Sequence, residues 1–237
     1  MSDKLIVALD VADLDEAAKI VKKISPLVKI FKVGKELFTS AGPKAVEMIH
    51  SHNCRVFLDL KFHDIPNTVG AACEVAASMG VFMLNVHALG GKTMMTSAVQ
   101  AVHKAALEKK ISPTKVLGVT VLTSLTDRDL REIGISKKMA TEVEDLAVLS
   151  QQSGLDGVVA SGQEVERIRK VTGKNFLIVT PGVRPIWAAH GDQKRIVTPK
   201  EAIRSGADFI VVGRPITQHP QPIAAAEKIL KEISGKD

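Results

Sequence analysis

Residues 55–68 read RVFLDLKFHDIPNT, an apolar run whose end is crowded with charged and titratable groups. Side chains two apart on a strand point the same way, so Asp59 and Lys61 share a face with Phe57. A strand that is apolar on both faces is typical of a parallel sheet covered by helices. An Asp and a Lys that point inward need each other or a ligand, because an unpaired buried charge is costly. We therefore expect the reacting centre here, with Asp64 one turn later.

Composition limits the class of protein. The chain has 237 residues, which suits one large α/β barrel or two small domains. Aromatic residues make up only 3 % and Tyr is absent, which argues against a stacking platform for single-stranded nucleic acid. The net charge of +6 is interspersed along the chain, a balance that helps attract an anionic small molecule. We expect a small-molecule partner and no nucleic acid.

Cysteine usage and hydropathy indicate the compartment. Cys54 and Cys73 form no Cys-x-x-Cys pair, no histidine pair has convincing metal-ligand spacing, and we expect two buried free thiols. The first residues lack the charged start, apolar core and cleavage site of a signal peptide. No apolar run approaches the roughly 18 residues of a membrane span. These features predict a cytoplasmic protein with no membrane partner and no bound metal.

Eight apolar runs alternate with amphipathic stretches. The predicted strands are Leu5–Leu9, Val28–Val33, Val56–Leu60, Val81–Val86, Val116–Leu122, Gly157–Ala160, Phe176–Val179 and Phe209–Val212. The predicted helices are Asp13–Ile24, Pro43–Ser51, Pro66–Met79, Lys92–Lys109, Ala140–Ser153, Gly162–Thr172, Thr198–Arg204 and Pro222–Ile233. This pattern predicts an α/β fold, a single (β/α)₈ TIM barrel over residues 1–237. A doubly wound open sheet is the alternative, but the first strand lacks a Gly-rich dinucleotide turn.

Barrels of this kind carry their chemistry at the carboxyl ends of the strands. Polar or turn-forming residues at those predicted ends are Asp10, Lys32, Gly34, Asp59, Lys61, Asp64, His87, Thr123, Ser124, Ser161, Pro181, Gly182, Arg184, Gly213 and Arg214. We expect them to converge on one rim.

The charged group of Lys32, Asp59, Lys61 and Asp64 has two interpretations. One is a structural salt-bridge network at the barrel mouth. The other, which we favour, is a proton donor, Lys61, that flanking carboxylates hold in its charged form. Two lysines at strand ends are poor choices for stability alone.

A phosphate site is predicted after the eighth strand, where Gly213 exposes its N–H and Arg214 can bind phosphate oxygens. A simple strand-to-helix turn is the alternative. The long segment 180–195 contains Trp187, and Gln193 and Arg195 could reach a phosphate from it. It could instead be a surface excursion.

The sequence leaves more than one role for His87 and for Ser124. We expect His63 to make one fixed hydrogen bond rather than to take part in catalysis, while His87 could contact ligand or fill the barrel. Ser124 has no Gly-x-Ser-x-Gly surround, so a hydrolase nucleophile is disfavoured and a hydrogen bond to a polar ring is expected.

Taken together, the motifs resemble those of the orotidine 5'-phosphate decarboxylase family. The matching stretches span nearly the whole chain and are Ala8-Leu9-Asp10, Phe31-Lys32-Val33-Gly34, residues 59–68, Val121-Leu122-Thr123-Ser124, Thr180-Pro181-Gly182-Val183-Arg184, Gly191-Asp192-Gln193 and Val212-Gly213-Arg214-Pro215-Ile216. The resemblance implies cofactor-free decarboxylation of orotidine 5'-phosphate to uridine 5'-phosphate, the last step of pyrimidine nucleotide synthesis. It also implies a homodimer with shared active sites.

The resemblance assigns roles to individual residues. Lys61 would protonate carbon 6 of the ring, Asp59 and Asp64 would lie beside the leaving carboxylate, and Lys32 completes the catalytic set. The implied substrate-binding residues are Asp10 and Lys32 at the ribose, Thr123 and Ser124 at the pyrimidine, and Arg184, Gln193, Gly213 and Arg214 at the phosphate, together with Asp59, Pro181, Ile65 and Thr68. Asp64, Ile65 and Thr68 would come from the partner subunit.

Two other functions remain possible at this stage. A magnesium-dependent sugar-phosphate decarboxylase or aldolase could share Asp-x-Lys-x-x-Asp and use the carboxylates to hold the metal. A non-catalytic phosphate-binding module is the second, but it does not need Lys61 and Asp59 inside the pocket. The continuation Ile65-Pro66-Asn67-Thr68 and Gln193 favour the nucleotide enzyme.

Overall fold

A computed structural model describes residues 4–188 and 197–235 and contains a closed barrel of eight parallel strands. Each strand pairs with its neighbours in chain order, and β8 pairs with β1 to close the barrel. The strands are β1 (Leu5–Leu9), β2 (Ile30–Gly34), β3 (Arg55–Phe62), β4 (Met83–His87), β5 (Lys115–Val119), β6 (Gly157–Val159), β7 (Leu177–Thr180) and β8 (Phe209–Val212). The predicted (β/α)₈ fold is confirmed, and the open-sheet alternative is wrong.

Helices surround the strands. They are α1 (Leu14–Ile24), α2 (Lys35–Ala41), α3 (Lys44–Ser51), α4 (Pro66–Ser78), α5 (Gly91–Lys109), α6 (Asp127–Glu132), α7 (Met139–Gln152), α8 (Val165–Thr172), α9 (Pro199–Arg204), α10 (Arg214–Thr217) and α11 (Pro222–Ser234). A 3₁₀ turn at Ala88–Gly90 precedes α5. No helix in the described ranges has both the length and the apolar character needed to cross a bilayer.

Local signals explain where several helices begin and end. Asp13 caps α1 by accepting a hydrogen bond from the Glu16 N–H. Thr198 and Glu201 form the predicted capping box of α9, with Pro199 at the first helical position. Gly80, Gly154 and Gly206 all have positive φ where a helix turns into the next strand.

Some predicted boundaries were wrong. The strand predicted over Val116–Leu122 ends at Val119, so Thr123 and Ser124 lie in the loop that follows β5. The short helices α2, α6 and α10 were not predicted. Each has seven residues or fewer, too few for an apolar period to be recognised.

Two apolar layers lie on opposite sides of the strands. The outer layer packs the strands against the helices and includes Val56 and Leu58 of β3. The inner layer fills the barrel with Ile6, Ala8, Ile30, Phe57, Met83, Leu117, Val119, Val159, Val179 and Val211. The predicted faces of β3 are therefore confirmed. Because this layer occupies the barrel interior, a ligand can enter only above it.

Candidate active site

A cavity of about 350 Å³ opens at the carboxyl ends of the strands. Its floor is the top of the inner apolar layer, with Phe57, Val119, Val159 and Val211. The strand-end residues predicted from the sequence that line it are Asp10, Lys32, Asp59, Lys61, Thr123, Ser124, Ser161, Pro181, Gly182, Arg184, Gly213 and Arg214. The barrel thus brings together twelve of the fifteen predicted strand-end residues, while Gly34, Asp64 and His87 do not line the cavity.

Four charged side chains form a continuous chain at one side of this cavity. Lys32 Nζ lies 3.0 Å from Asp10 Oδ1 and 3.4 Å from Asp59 Oδ2. Lys61 Nζ lies 2.6 Å from Asp59 Oδ1. The two oxygens of Asp59 therefore face two different ammonium groups. A ligand that enters the cavity meets charges that are already paired and fixed in position.

This pairing sets the protonation states of the buried members. Burial by itself raises the pKa of Asp59, but the charges of Lys32 and Lys61 and the hydrogen bonds of Lys61 and Asn85 outweigh it, so the pKa is lowered. Burial likewise lowers the pKa of Lys32, but Asp59 and Asp10 outweigh it, so this pKa is raised. At neutral pH Asp59 is a carboxylate and Lys32 an ammonium.

Strand β3 departs from regular geometry where it carries Lys61. Leu58 pairs with Leu84 and Phe62 with Val86, so four steps along β3 cover only two along β4. Lys61 has φ of +55°, a left-handed conformation that costs an L-residue with a side chain roughly 1–2 kcal/mol. The predicted inward direction of Asp59 and Lys61 holds, but simple alternation along a strand does not describe this backbone.

Asn85 on β4 is a site residue that the sequence analysis missed. It is fully buried, and its side-chain Nδ2 donates to Asp59 Oδ1 at 2.7 Å while its Oδ1 accepts from the Lys61 N–H at 2.8 Å. The available signal was an amide within the apolar strand MLNVH, two residues before His87. A buried amide needs polar partners, so it points toward a polar site.

Two arginines also line the cavity. Arg184 is buried and follows β7, and Arg214 begins α10 directly after β8. Gly213 is packed closely: an added β-carbon would lie 3.2 Å from Asp10 Oδ2 and 3.4 Å from Ala8 Cβ. A side chain at this position would therefore require Asp10 or Ala8 to shift by a few tenths of an ångström.

The segment predicted to carry further phosphate ligands is only partly described. Its two ends are held together, because Val183 bridges to Val197 and the Arg184 N–H donates to the Val197 carbonyl at 3.0 Å. Trp187 contacts His219 edge-on, with ring centroids 5.6 Å apart. Gln193 and Arg195 lie outside the described residues, so their predicted roles stay predictions.

Three predicted residues do not reach the cavity within one chain. Asp64, Ile65 and Thr68 are exposed, and the side-chain Oδ1 of Asp64 accepts a hydrogen bond from the Ile65 N–H. The expectation that Asp64 flanks Lys61 in the charged chain is not met within this subunit, where Asp10 is the fourth member instead. Their assignment to a partner subunit stays a prediction.

The two histidines near β3 and β4 lie against each other, with ring centroids 5.4 Å apart. Burial, followed by the nearby His63, Lys61 and Lys35, lowers the pKa of His87 to about 4, although Asp59 acts in the opposite direction. Nδ1 of His87 is buried and has no hydrogen-bond partner among the described residues. His87 is therefore neutral at pH 7 and adds no charge beside Lys61.

No group of three or more His, Cys, Asp or Glu side chains in residues 4–188 and 197–235 is arranged to hold a metal ion. The cavity instead presents paired lysines and carboxylates, two arginines and an apolar floor. Together with the barrel, this defines a TIM-barrel enzyme whose site suits a small anionic substrate.

The family follows from comparison with known proteins. The model of the orotidine 5'-phosphate decarboxylase / HUMPS family matches residues 3–229, and the chain belongs to this family. A protein of Moorella thermoacetica named orotidine 5'-phosphate decarboxylase is 51% identical over 232 residues, which are 98% of this chain and 92% of that protein. One of Trichlorobacter lovleyi with the same name is 53% identical over 231 residues, 98% of this chain and 95% of that protein.

A solved structure supports the same relationship. The crystal structure of orotidine 5'-phosphate decarboxylase from Lactobacillus acidophilus superimposes with a TM-score of 0.86 at 40% identity, over 98% of this chain and 99% of that chain. The resemblance noted in the sequence is therefore confirmed for the family and for the fold.

Proposed function

We propose that this chain catalyses the decarboxylation of orotidine 5'-phosphate to uridine 5'-phosphate in pyrimidine biosynthesis. The observation that carries the proposal is the charge chain Asp10–Lys32–Asp59–Lys61 inside a pocket that two arginines also line, in a member of this family. The relatives bear the name of this activity over almost the full length of the chain.

The reaction places a demand that this arrangement meets. When the bond between carbon 6 and the carboxylate breaks, carbon dioxide leaves and its electron pair stays on carbon 6, where the ring delocalises it poorly. Catalysis must stabilise that charge more strongly in the transition state than in the substrate. The Lys61 ammonium, fixed by Asp59 at 2.6 Å, is in place before the charge develops and needs no reorganisation.

Lys61 then completes the reaction. A proton moves from its Nζ to carbon 6, which gives uridine 5'-phosphate and leaves a neutral amine that regains a proton from solvent. Asp59 lies on the same side and carries a negative charge that opposes the substrate carboxylate. This repulsion is a secondary contribution, since ground-state destabilisation is the weaker of the two arguments.

The remaining pocket residues suit the other parts of the substrate. Asp10 and Lys32 are assigned to the ribose hydroxyls, and Thr123 and Ser124 to the polar edge of the pyrimidine. The phosphate is assigned to Arg184, Arg214 and the backbone at Gly213, because one guanidinium group can bind two phosphate oxygens at once. Pro181 also lines the cavity, and Gln193 is assigned to the phosphate by family resemblance alone.

The dimer is part of the proposal. Asp64, Ile65 and Thr68 are exposed in one chain, and 65 % of the Ile65 surface is accessible, which is high for a large apolar side chain. A second subunit that covers this surface would bring its own Asp64 to the neighbouring cavity. We assign these three residues to the partner's site.

The test is a direct assay. Orotidine 5'-phosphate absorbance is followed with and without the purified chain, and again after incubation with a chelator. We expect loss of the substrate absorbance at an unchanged rate with chelator. A rate abolished by chelator and restored by magnesium would support the metal-dependent alternative, and no conversion with intact phosphate binding would support a binding module. Both oxygens of Asp59 face ammonium groups, which disfavours a divalent cation there.

A further inference from the structure

Lys61 occupies a backbone conformation that its own strand does not stabilise. Its φ is +55°, and the pairing of β3 with β4 skips from Leu58 to Phe62 around it. A buried N–H in such an irregular segment loses its regular strand partner and needs another acceptor. A residue with a side chain keeps such a left-handed backbone conformation only where its surroundings fix it.

The amide of Asn85 supplies that acceptor. Its Oδ1 accepts from the Lys61 N–H at 2.8 Å, and its Nδ2 donates to Asp59 Oδ1 at 2.7 Å. A backbone N–H can only donate, so the amide oxygen must face Lys61 and the amide nitrogen must face Asp59. The orientation of the amide is therefore determined by its partners. Asparagine supplies both an acceptor and a donor at this position, which neither an ionised aspartate nor a leucine can do.

We propose that Asn85 is a positioning residue that holds the backbone of Lys61 and the carboxylate of Asp59 in one fixed arrangement for proton transfer. The inference rests on the proposed function, in which Lys61 is the proton donor. Asn85 is fully buried and does not line the cavity, so it acts through these two residues and not on the substrate.

The arrangement closes a small ring of contacts. Asp59 Oδ1 accepts from both Lys61 Nζ and Asn85 Nδ2, and Asn85 Oδ1 holds the Lys61 backbone. The main chain and the ammonium of Lys61 are thus both held by the same pair of side chains, Asn85 and Asp59. Without the amide, the carboxylate can rotate and the ammonium can follow it away from the substrate.

Two variants test this role. Asn85→Ala removes both hydrogen bonds, and we expect kcat to fall about 10²-fold, the cost of displacing a reacting group by about 1 Å. The dissociation constant of uridine 5'-phosphate should change by less than about 5-fold, because substrate-contacting groups remain. The acid limb of the kcat profile should move to higher pH, because the charged form of Asp59 loses a hydrogen bond.

Asn85→Asp keeps the acceptor for the Lys61 N–H but replaces the donor with a second carboxylate at neutral pH. We expect a loss of kcat at pH 7 that diminishes relative to the native protein as the pH falls. The reason is that the protonated form of the introduced carboxyl can again donate to Asp59. Asn85→Ala has no such group and should show no recovery. Because Asn85→Asp is nearly isosteric with the native protein, it also tests the role if Asn85→Ala does not fold.

A matched control separates position from stability. Thr114 is buried outside the cavity, and its hydroxyl donates to the Val81 carbonyl at 2.7 Å. Thr114→Val removes a comparable buried hydrogen bond and should lower the melting temperature with kcat and its pH profile unchanged. If Asn85→Ala behaves like this control in an assay where the native protein turns over, the positioning role is wrong. If the native protein itself does not decarboxylate the substrate, the proposed function fails and this inference with it.

Discussion

Lys61 Nζ lies 2.6 Å from Asp59 Oδ1, and the two side chains are only 23% and 13% exposed. The contact is short even for a charge-assisted hydrogen bond. Because water reaches it poorly, the ammonium is held by the protein and not by solvent. A group held in this way is ready to meet a negative charge as that charge forms.

Replacing Lys61 tests whether its ammonium is the proton donor. Lys61→Ala should lower kcat by at least about 10⁴-fold, since proton donation and electrostatic stabilisation are lost together. Product binding should survive, because the arginines that line the cavity are unchanged. Turnover is followed by absorbance and product affinity by calorimetry. Persistent turnover would show that another group donates the proton.

The phosphate assignment of Arg214 is tested with substrates that differ only in the phosphate. Arg214→Ala should raise KM for the nucleotide about 10- to 100-fold, the range expected for a charge-assisted hydrogen bond. The nucleoside without phosphate should bind native protein and variant almost equally. Arg204→Ala is the control, since Arg204 is exposed on α9 and does not line the cavity, yet its loss changes the net charge equally. Equal losses for nucleotide and nucleoside would contradict the assignment.

Gly34 lies close to the Lys32 ammonium, and an added β-carbon would lie 3.0 Å from Lys32 Nζ. Its φ of −91° suits alanine, so Gly34→Ala should fold with a nearly native melting temperature. The ammonium, however, must shift by a few tenths of an ångström, which disturbs its contacts with Asp10 and Asp59. We expect kcat/KM to fall about 10-fold. Thermal unfolding and steady-state kinetics measure the two effects, and unchanged kinetics would show that the position of Lys32 is not critical.

The sequence was sufficient for the barrel and for the set of polar strand ends, because both depend on apolar periodicity and on chain order. It was insufficient wherever a position depends on a neighbouring strand. The irregular pairing of β3 with β4 depends on how Phe62 aligns with Val86. The sequence of either strand alone does not predict that alignment. Asn85 acquires its role only because that irregularity brings the Lys61 N–H within its reach. Asp64 shows the same limit, since its assigned site requires a second chain.

The pH dependence of stability should reveal the half-buried His87. Burial lowers the pKa of His87 to about 4 from its usual 6.5, so below pH 6.5 the unfolded chain takes up a proton that the folded chain does not. The free energy of unfolding contributed by this residue is complete above pH 6.5 and decreases as the pH falls toward 4. Urea unfolding of His87→Gln should show a weaker pH dependence in that window.

A surface histidine provides the control for that experiment. His103 is exposed on α5, and His103→Gln should leave the pH dependence of the native protein nearly unchanged. NMR titration of the His87 ring gives the pKa directly. A His87 pKa near 6.5, or an acid limb of activity between pH 5 and 7 that disappears in His87→Gln, would show that the ring titrates near its ordinary pKa and would contradict the lowered pKa.

The shared active site is tested by mixing two inactive subunits. Lys61→Ala lacks the proton donor, and Asp64→Ala lacks the group assigned to the neighbouring cavity. In a mixed dimer, one cavity carries both defects and the other carries neither, so activity should reappear. With equal amounts and random exchange, half of the dimers are mixed and each has one intact site, which gives about a quarter of the native activity per subunit under this model.

Subunit exchange must be confirmed in the same mixture, for example by energy transfer between labelled chains. Each variant mixed with itself gives the baseline. If exchange is complete and activity stays at that baseline, Asp64 acts within its own chain or not at all. The exposed position of Asp64, with its side-chain Oδ1 accepting from the neighbouring Ile65 N–H, would then have to change on substrate binding for it to reach Lys61.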